Sequence, residues 1–406
     1  MKRVLVYSHD TFGLGNIRRM LTIAQDLVAA DPDMSVLIVS GSPMLHAFRI
    51  PARIDYLKLP CLTRTMSGDY SVKFLDLSYD ETIRLRTNLL TSTLLDFDPD
   101  LILTDKKPLG VGNELEAALE LVQRRGKQTK LVLLLRDILD APEATRSVWQ
   151  KNGYFDAIDR YYDQVLVVGS PEVFDLAEEY AFPRAVRQKL RYCGYLRRER
   201  SRQRVQSQSP APCRAKQVLV TPGGGEDGFE LLSAYARGLP LLAPAPIHSV
   251  MVCGPEMAAS QRQALAQLIG DRDDVTIHEF SDDMMGLMEA ADVVVSMSGY
   301  NTVCELFSLR KRAVLVPRIK PVLEQWIRAN RLARLGLART IHPDDLTPRA
   351  LALAVGEELD QLNVRPRALY QLDLDGLPRI RKAISELLTS RFVSDAHPRV
   401  LAAASS

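Results

Sequence analysis

Residues able to do chemistry collect at the ends of short apolar runs. Residues 3–8 read as a strand, followed by His9-Asp10 and Thr11-Phe12-Gly13-Leu14-Gly15-Asn16. Imidazole is the side chain whose ordinary pKa suits proton transfer near neutrality. Ligands of open α/β sheets gather at the carboxyl ends of strands. His9 is therefore read either as a general base or as a brace for its loop. Gly13 and Gly15 let backbone approach a ligand closely at a helix start. Two more strands, 99–104 and 131–135, end in Asp105-Lys106-Lys107 and Arg136-Asp137. Farther on, strand 293–295 leads through Ser298-Gly299 into a helix over about 301–309. Such a turn is an anion site, because free backbone N–H groups and the helix dipole both face it. Glu305, about one turn further in, would repel a phosphate placed on it but can accept hydrogen bonds from a neighbouring diol. Strand 313–316, Pro317, Pro321 and the polar pair Glu324-Gln325 follow. Together these are the parts needed to hold a nucleotide sugar.

The elements that must position them alternate along the chain. Helix 17–30 has apolar residues at helical spacing, and strand 36–40 closes a right-handed β-α-β unit. Residues 43–97 read as loops and helices, with Arg84 and Arg86 on different faces of helix 79–95. Strands at 165–168 and 192–195 complete a first domain, 1–196. Residues 197–217 are rich in Arg, Ser and Gln with Pro210 and Pro212, the composition of a linker. A second strand, glycine loop and helix begin at 218–221 with Pro222-Gly223-Gly224-Gly225-Glu226-Asp227-Gly228, opening a domain over 218–376. Further strands are read within 248–254 and 274–280. A helix over 377–392 and a tail, 393–406, end the chain. The expected class is α/β, with two doubly wound Rossmann-like sheets facing across a cleft.

The 406 residues, 46% hydrophobic and 25% charged, suit two globular domains. A net charge of +2 gives no field for nucleic acid. Cys61, Cys193, Cys213, Cys253 and Cys304 are odd in number and lack CxxC spacing, which points to reduced thiols and away from zinc. No apolar run reaches the ~20 residues of a membrane span. The expected location is cytoplasmic, with peripheral membrane contact left open.

The stretch 279–325 resembles the donor-binding half of MurG-type glycosyltransferases of GT-B fold. The resemblance rests on Glu279-Phe280, Asp282-Asp283-Met284, Ala291-Asp292-Val293-Val294, Ser298-Gly299, Thr302-Val303, Glu305, Pro317 and Gln325, in order and without an obvious gap. It extends over most of the chain, through relatives sharing residues 8–15, but its specific words lie in 218–336. It implies that Glu305 holds the ribose hydroxyls, that backbone near Phe280-Ser281 holds the base, and that Glu324-Gln325 hold the donor sugar, with Met284 a further donor-binding residue. Gly13, Gly15, Gly224, Gly225, Ser298, Gly299, Tyr300, Asn301 and Thr302 would line the donor site.

The family's loop carries a histidine where this chain has Asn16, which has no accessible protonation equilibrium. His9 is the substitute base, with Asp137 or Asp105 helping. Asp10, Asp105, Lys106 and Arg136 are the acceptor-side candidates, and the cations there can meet an anionic acceptor. The resemblance implies an inverting transfer from a UDP-sugar to a saccharide, lipid-linked or small-molecule acceptor, in cell-surface polysaccharide or glycolipid synthesis. The UDP-sugar is a co-substrate, and neither cofactor nor metal is expected. The rivals are a UDP-N-acetylglucosamine 2-epimerase and a catalytically inactive nucleotide-sugar-binding partner, the latter suggested by Asn16.

Overall fold

The computed structural model describes residues 1–9, 15–45, 48–64, 70–125, 129–199, 215–242, 246–362 and 372–395. Asp10 and Gly13, linker residues 200–214 and the tail from 396 lie outside the described residues.

Strands β1 (Lys2–Ser8), β2 (Met34–Ser40) and β3 (Ile54–Lys58) come first, then the short pair β4 (Leu62–Arg64) and β5 (Tyr70–Val72). They are followed by β6 (Leu101–Asp105), β7 (Lys130–Arg136), β8 (Gln164–Val168) and β9 (Leu190–Tyr192). Apart from β4 and β5, these form one parallel sheet in the order β3-β2-β1-β6-β7-β8-β9. The second parallel sheet, β12-β11-β10-β13-β14-β15, uses β10 (Lys216–Thr221), β11 (Ile247–Val252), β12 (Val275–His278), β13 (Val293–Ser296), β14 (Arg312–Leu315) and β15 (Arg339–Thr340). Val4, Leu5, Val6 and Tyr7 are all fully buried. A parallel sheet covered on both faces requires such continuous apolar runs instead of alternation.

Both sheets reverse their winding beside their first strand. β1 lies between β2 and β6, and β10 lies between β11 and β13. His9 and Asp105-Lys106 thus leave adjacent strand ends, as do the glycine loop after β10 and the Ser298-Gly299 turn after β13. Ligands bind at such switch points.

Several details differ from the sequence reading. Residues 43–97 contain the antiparallel pair β4–β5, joined in the register Leu62↔Val72, besides β3 and the helix Tyr79–Phe97. These strands are only three residues each, too short for alternation to show. Gly15 is the first residue of the helix Gly15–Ala30. The strand read at 192–195 is β9, which ends at Tyr192. Gly194, at φ +85°, donates to the Gly169 carbonyl, whereas Tyr195 turns to the chain before the last helix, donating to the Asp373 carbonyl and accepting from the Gly376 amide.

The helix Gly376–Asp395 lies against the first domain. Its Ile380, Ala383, Ile384 and Leu388 join an apolar cluster with Ile17, Leu21 and Ala24 of the first helix. That cluster runs on through Tyr195 and Leu196 to Tyr300, Val303 and Phe307 of the second domain. Tyr195 stacks on Tyr300 at 6.1 Å between ring centroids.

Candidate active site

His9 follows β1 and is 1% exposed. Neither ring nitrogen has a hydrogen-bond partner among the described residues. Burial, then the charges of Lys106, Lys107, Arg86 and Arg136, hold it well below the ordinary histidine value. The ring is therefore neutral at pH 7, and one nitrogen keeps a lone pair. Leaving a buried polar group unpaired costs free energy, whereas an open lone pair is what a general base requires.

No carboxylate among Asp105 and Asp137 orients this imidazole, which corrects their expected helping role. Arg19 Nη2 donates to Asp105 at 2.5 Å, with both side chains buried. Asp137 accepts from Arg328 Nε and Nη2, both at 2.7 Å, and from Tyr195 Oη at 3.1 Å. Asn16 braces the loop: its Nδ2 donates to the His9 carbonyl and its Oδ1 accepts from Arg19 at 3.1 Å.

Lys106 stands beside His9 at the end of β6 with φ +69°, a left-handed backbone that strains a residue with a Cβ. Burial and Arg136 bring its ammonium down to about 7, with Lys107 adding to them against the opposite pull of Glu324 and Asp105. Arg136 does not pair with its neighbour Asp137. It reaches across the cleft, placing Nη1 2.7 Å from Glu324 Oε2. Burial raises Glu324, but Arg136, Arg328, Lys106 and Arg318 outweigh it and hold the carboxyl below its ordinary value. Arg136 and Lys106, read as acceptor-side, and Glu324, read as donor-side, thus form one charged cluster.

On the donor side, Gly299 caps the helix Tyr300–Ser308 without any side-chain capping bond. No side chain caps the amides of its first turn, the groups that a helix start offers to an anion. Glu305 is 3% exposed and accepts from Arg18 Nη2 of the first domain at 2.7 Å. Gln325 Oε1 accepts from the Arg318 amide at 3.2 Å. Gly225, at φ +97°, lets the glycine loop close against the Cys253 carbonyl and Gly254. In that loop Asp227 pairs with Arg318 at 3.2 Å, which offsets its charge.

Other donor-side residues turn elsewhere. Ser298 Oγ donates to the Gln325 carbonyl at 2.5 Å, so it fastens the turn to the next helix. Tyr300 is buried between the domains, with the guanidinium groups of Arg19 and Arg328 over its ring at 5.6 and 5.9 Å. Asn301 donates to the Gly15 carbonyl at 3.0 Å and accepts from Arg198 at 2.8 Å. Gly15 therefore faces the helix of Tyr300, with the Gly224-Gly225 loop packed elsewhere. Thr302 lies in the same first turn, partly buried. Phe280 is 59% exposed just past the carboxyl end of β12. Ser281 and Met284 are partly buried just beyond β12, and Ser281 Oγ accepts from the Asp283 amide at 3.2 Å.

Residues 218–368 match the glycosyltransferase family 28 C-terminal domain. The match lies within the second half of the chain and takes in β10 to β15. The N-acetylglucosamine transferase of Methylorubrum populi that acts on a pyrophosphoryl-undecaprenol acceptor is 36% identical over 155 residues. Its Haemophilus influenzae counterpart is 37% identical over 176 residues. The alignments cover 36% and 43% of this chain, and only 40% and 48% of those relatives. Over nearly the whole chain the fold is that of solved GT-B glycosyltransferases. Acinetobacter baumannii MurG superposes with TM-score 0.64 at 16% identity, covering 95% of this chain and 100% of that one. The calicheamicin glycosyltransferase gives 0.63 at 17%, covering 96% and 98%. A Listeria monocytogenes structure described as a UDP-N-acetylglucosamine 2-epimerase gives 0.65 at 12%, covering 97% and 98%. The MurG resemblance read from the sequence stands.

The matched region carries Arg328, which sequence reasoning misses, as it does Arg18 and Arg19 in the first domain. Arginines on amphipathic helices read as solvated residues. The available signal for Arg328 was its spacing, four residues after Glu324, which puts both on one helix face.

Proposed function

We propose that this protein transfers a glycosyl group from a UDP-sugar to an acceptor hydroxyl with inversion at the anomeric carbon. The observation that carries the reading is the buried Glu305 one turn inside a helix whose first amides no side chain caps, within the region that matches the family 28 domain. A carboxylate there accepts the ribose hydroxyls, and the first-turn amides receive the diphosphate. The acceptor binds at the first domain. His9 takes the hydroxyl proton, the acceptor oxygen bonds to the anomeric carbon, and the bond from that carbon to the β-phosphate oxygen breaks, releasing UDP. Helix-terminal amides and nearby arginines stabilise the charge that develops on the leaving diphosphate, so the step proceeds without a metal or other cofactor.

The names of the curated relatives support a lipid-linked saccharide among the acceptor classes, and with it a role on the cytoplasmic face of a membrane. No helix among the described residues is long and apolar enough to cross one. The Lys106–Arg136 cluster suits an acceptor with an anionic group.

The test is calorimetric titration with UDP, ADP, GDP and TDP, with and without magnesium, followed by UDP-release assays with UDP-sugars and an acceptor panel. Selective, magnesium-independent UDP binding and acceptor-dependent UDP release are expected. Isomerisation of UDP-N-acetylglucosamine without acceptor would replace transfer by epimerisation. UDP binding with no turnover would make the protein a binding partner only.

A further inference from the structure

We propose that Arg18, from the first domain, is a phosphate-binding residue of the donor site, so that nucleotide is held jointly by both domains. The proposal rests on the donor reading above and extends it to a residue outside the family 28 domain.

Three observations carry it. First, Arg18 reaches across the cleft to the carboxylate expected to hold the ribose, with Nη2 2.7 Å from Glu305 Oε1. Second, the two side chains differ sharply in exposure: 4% for Glu305 and 42% for Arg18. The carboxylate is buried, while the arginine side chain that pairs with it is partly exposed. A guanidinium has five N–H donors and a carboxylate about four acceptor positions. A contact between one nitrogen and one oxygen therefore leaves both groups capacity for a ligand. Third, the helices bearing the pair meet at their N-terminal ends. Gly15 begins one and Tyr300 the other, and Asn301 Nδ2 bonds the Gly15 carbonyl at 3.0 Å.

The pair also removes an electrostatic difficulty. A bare carboxylate one turn from the phosphate site would repel the diphosphate. Arg18 neutralises Glu305 and places positive charge next to the same site. The diol then bonds to the carboxylate and the phosphate to the guanidinium, matching the order of groups along a nucleoside diphosphate. Guanidinium is suited to phosphate because its planar fork donates two parallel bonds.

The experiment compares UDP with uridine on the full chain, as wild type, Arg18→Ala, Arg18→Lys and Glu305→Gln. UDP is titrated by calorimetry and uridine by ligand-observed NMR. Arg18→Ala is expected to lose at least about tenfold in UDP affinity, the scale of a hydrogen bond to a charged group. Its uridine affinity should stay within about twofold, and Arg18→Lys should recover part of the UDP loss. Glu305→Gln should weaken both ligands. Unchanged or tighter UDP binding by Arg18→Ala would show that Arg18 only occupies the ribose position, and would overturn the proposal while leaving the donor site intact. Equal losses for UDP and uridine would overturn it too, making Arg18 a support for Glu305. A wild type that binds no UDP would sink the donor reading itself, and the proposal with it.

Discussion

Arg328 of the second domain grips Asp137 of the first through two 2.7 Å hydrogen bonds, and both side chains are 0% exposed. Arg328 Nη1 also donates to the Ser298 carbonyl at 2.7 Å, tying the pair to the donor-side turn. Despite burial, Asp137 raises the guanidinium above its already high value. The pair is thus a buried charged link between the domains.

Removing one member strands the other. Asp137→Ala is expected to lower stability by ~3–5 kcal/mol, the usual cost of an uncompensated buried charge. The double variant Asp137→Leu/Arg328→Met should lose less than Asp137→Ala alone. Urea unfolding of the three proteins checks this. A loss below about 1 kcal/mol in Asp137→Ala would mean that the pair is solvated in solution.

His9 has a pH signature independent of substrate. Its unfolded value is near 6.5 and its folded value lies well below that. Between the two, the unfolded chain holds a proton that the folded chain does not, so stability falls as pH drops below about 6.5. Above that pH the contribution is fully present. His9→Gln is expected to lose less stability than wild type between pH 7.5 and 5, measured by urea midpoints. Parallel losses would show that the ring is not held neutral by burial. In turnover assays the same variant should lose rate more than UDP affinity, as a base would.

Lys106 is expected to react with amine-directed reagents as though its pKa were about 7. Labelling followed by mass spectrometry from about pH 5 to about pH 11, a range that holds both the lowered value and the ordinary lysine value of about 10.4, would locate the midpoint. Arg136→Gln should move that midpoint upward, because it removes a repelling charge and frees Glu324 to attract the ammonium. An unmoved midpoint would break the cluster apart.

Glu305→Ala should weaken UDP binding by about 1.5–3 kcal/mol, typical of hydrogen bonds to a charged group. Its effect on folding should be small, since the stranded Arg18 is 42% exposed and can hydrate. Wild-type UDP affinity in this variant would remove Glu305 from the site. A large loss of melting temperature would make the residue structural instead.

Much of the fold was legible because its signals are local. The buried run at β1 and the periodicity of the first helix mark a β-α-β unit without reference to anything distant. Ser298-Gly299 before an apolar helix likewise marked a helix start, and no side chain caps it. What the residues themselves determined were two parallel sheets and the polar residues at the ends of their strands. Which charge meets which was decided only by the tertiary structure. Asp137 finds Arg328 across 191 residues, Glu305 finds Arg18 across 287, and Arg136 takes Glu324 in preference to adjacent Asp137. A carboxylate in sequence has the same charge beside any arginine. Partner choice arises when the two domains close and strip water from particular groups, leaving a charge to be paired, neutralised or, as with the His9 ring, left open for a ligand.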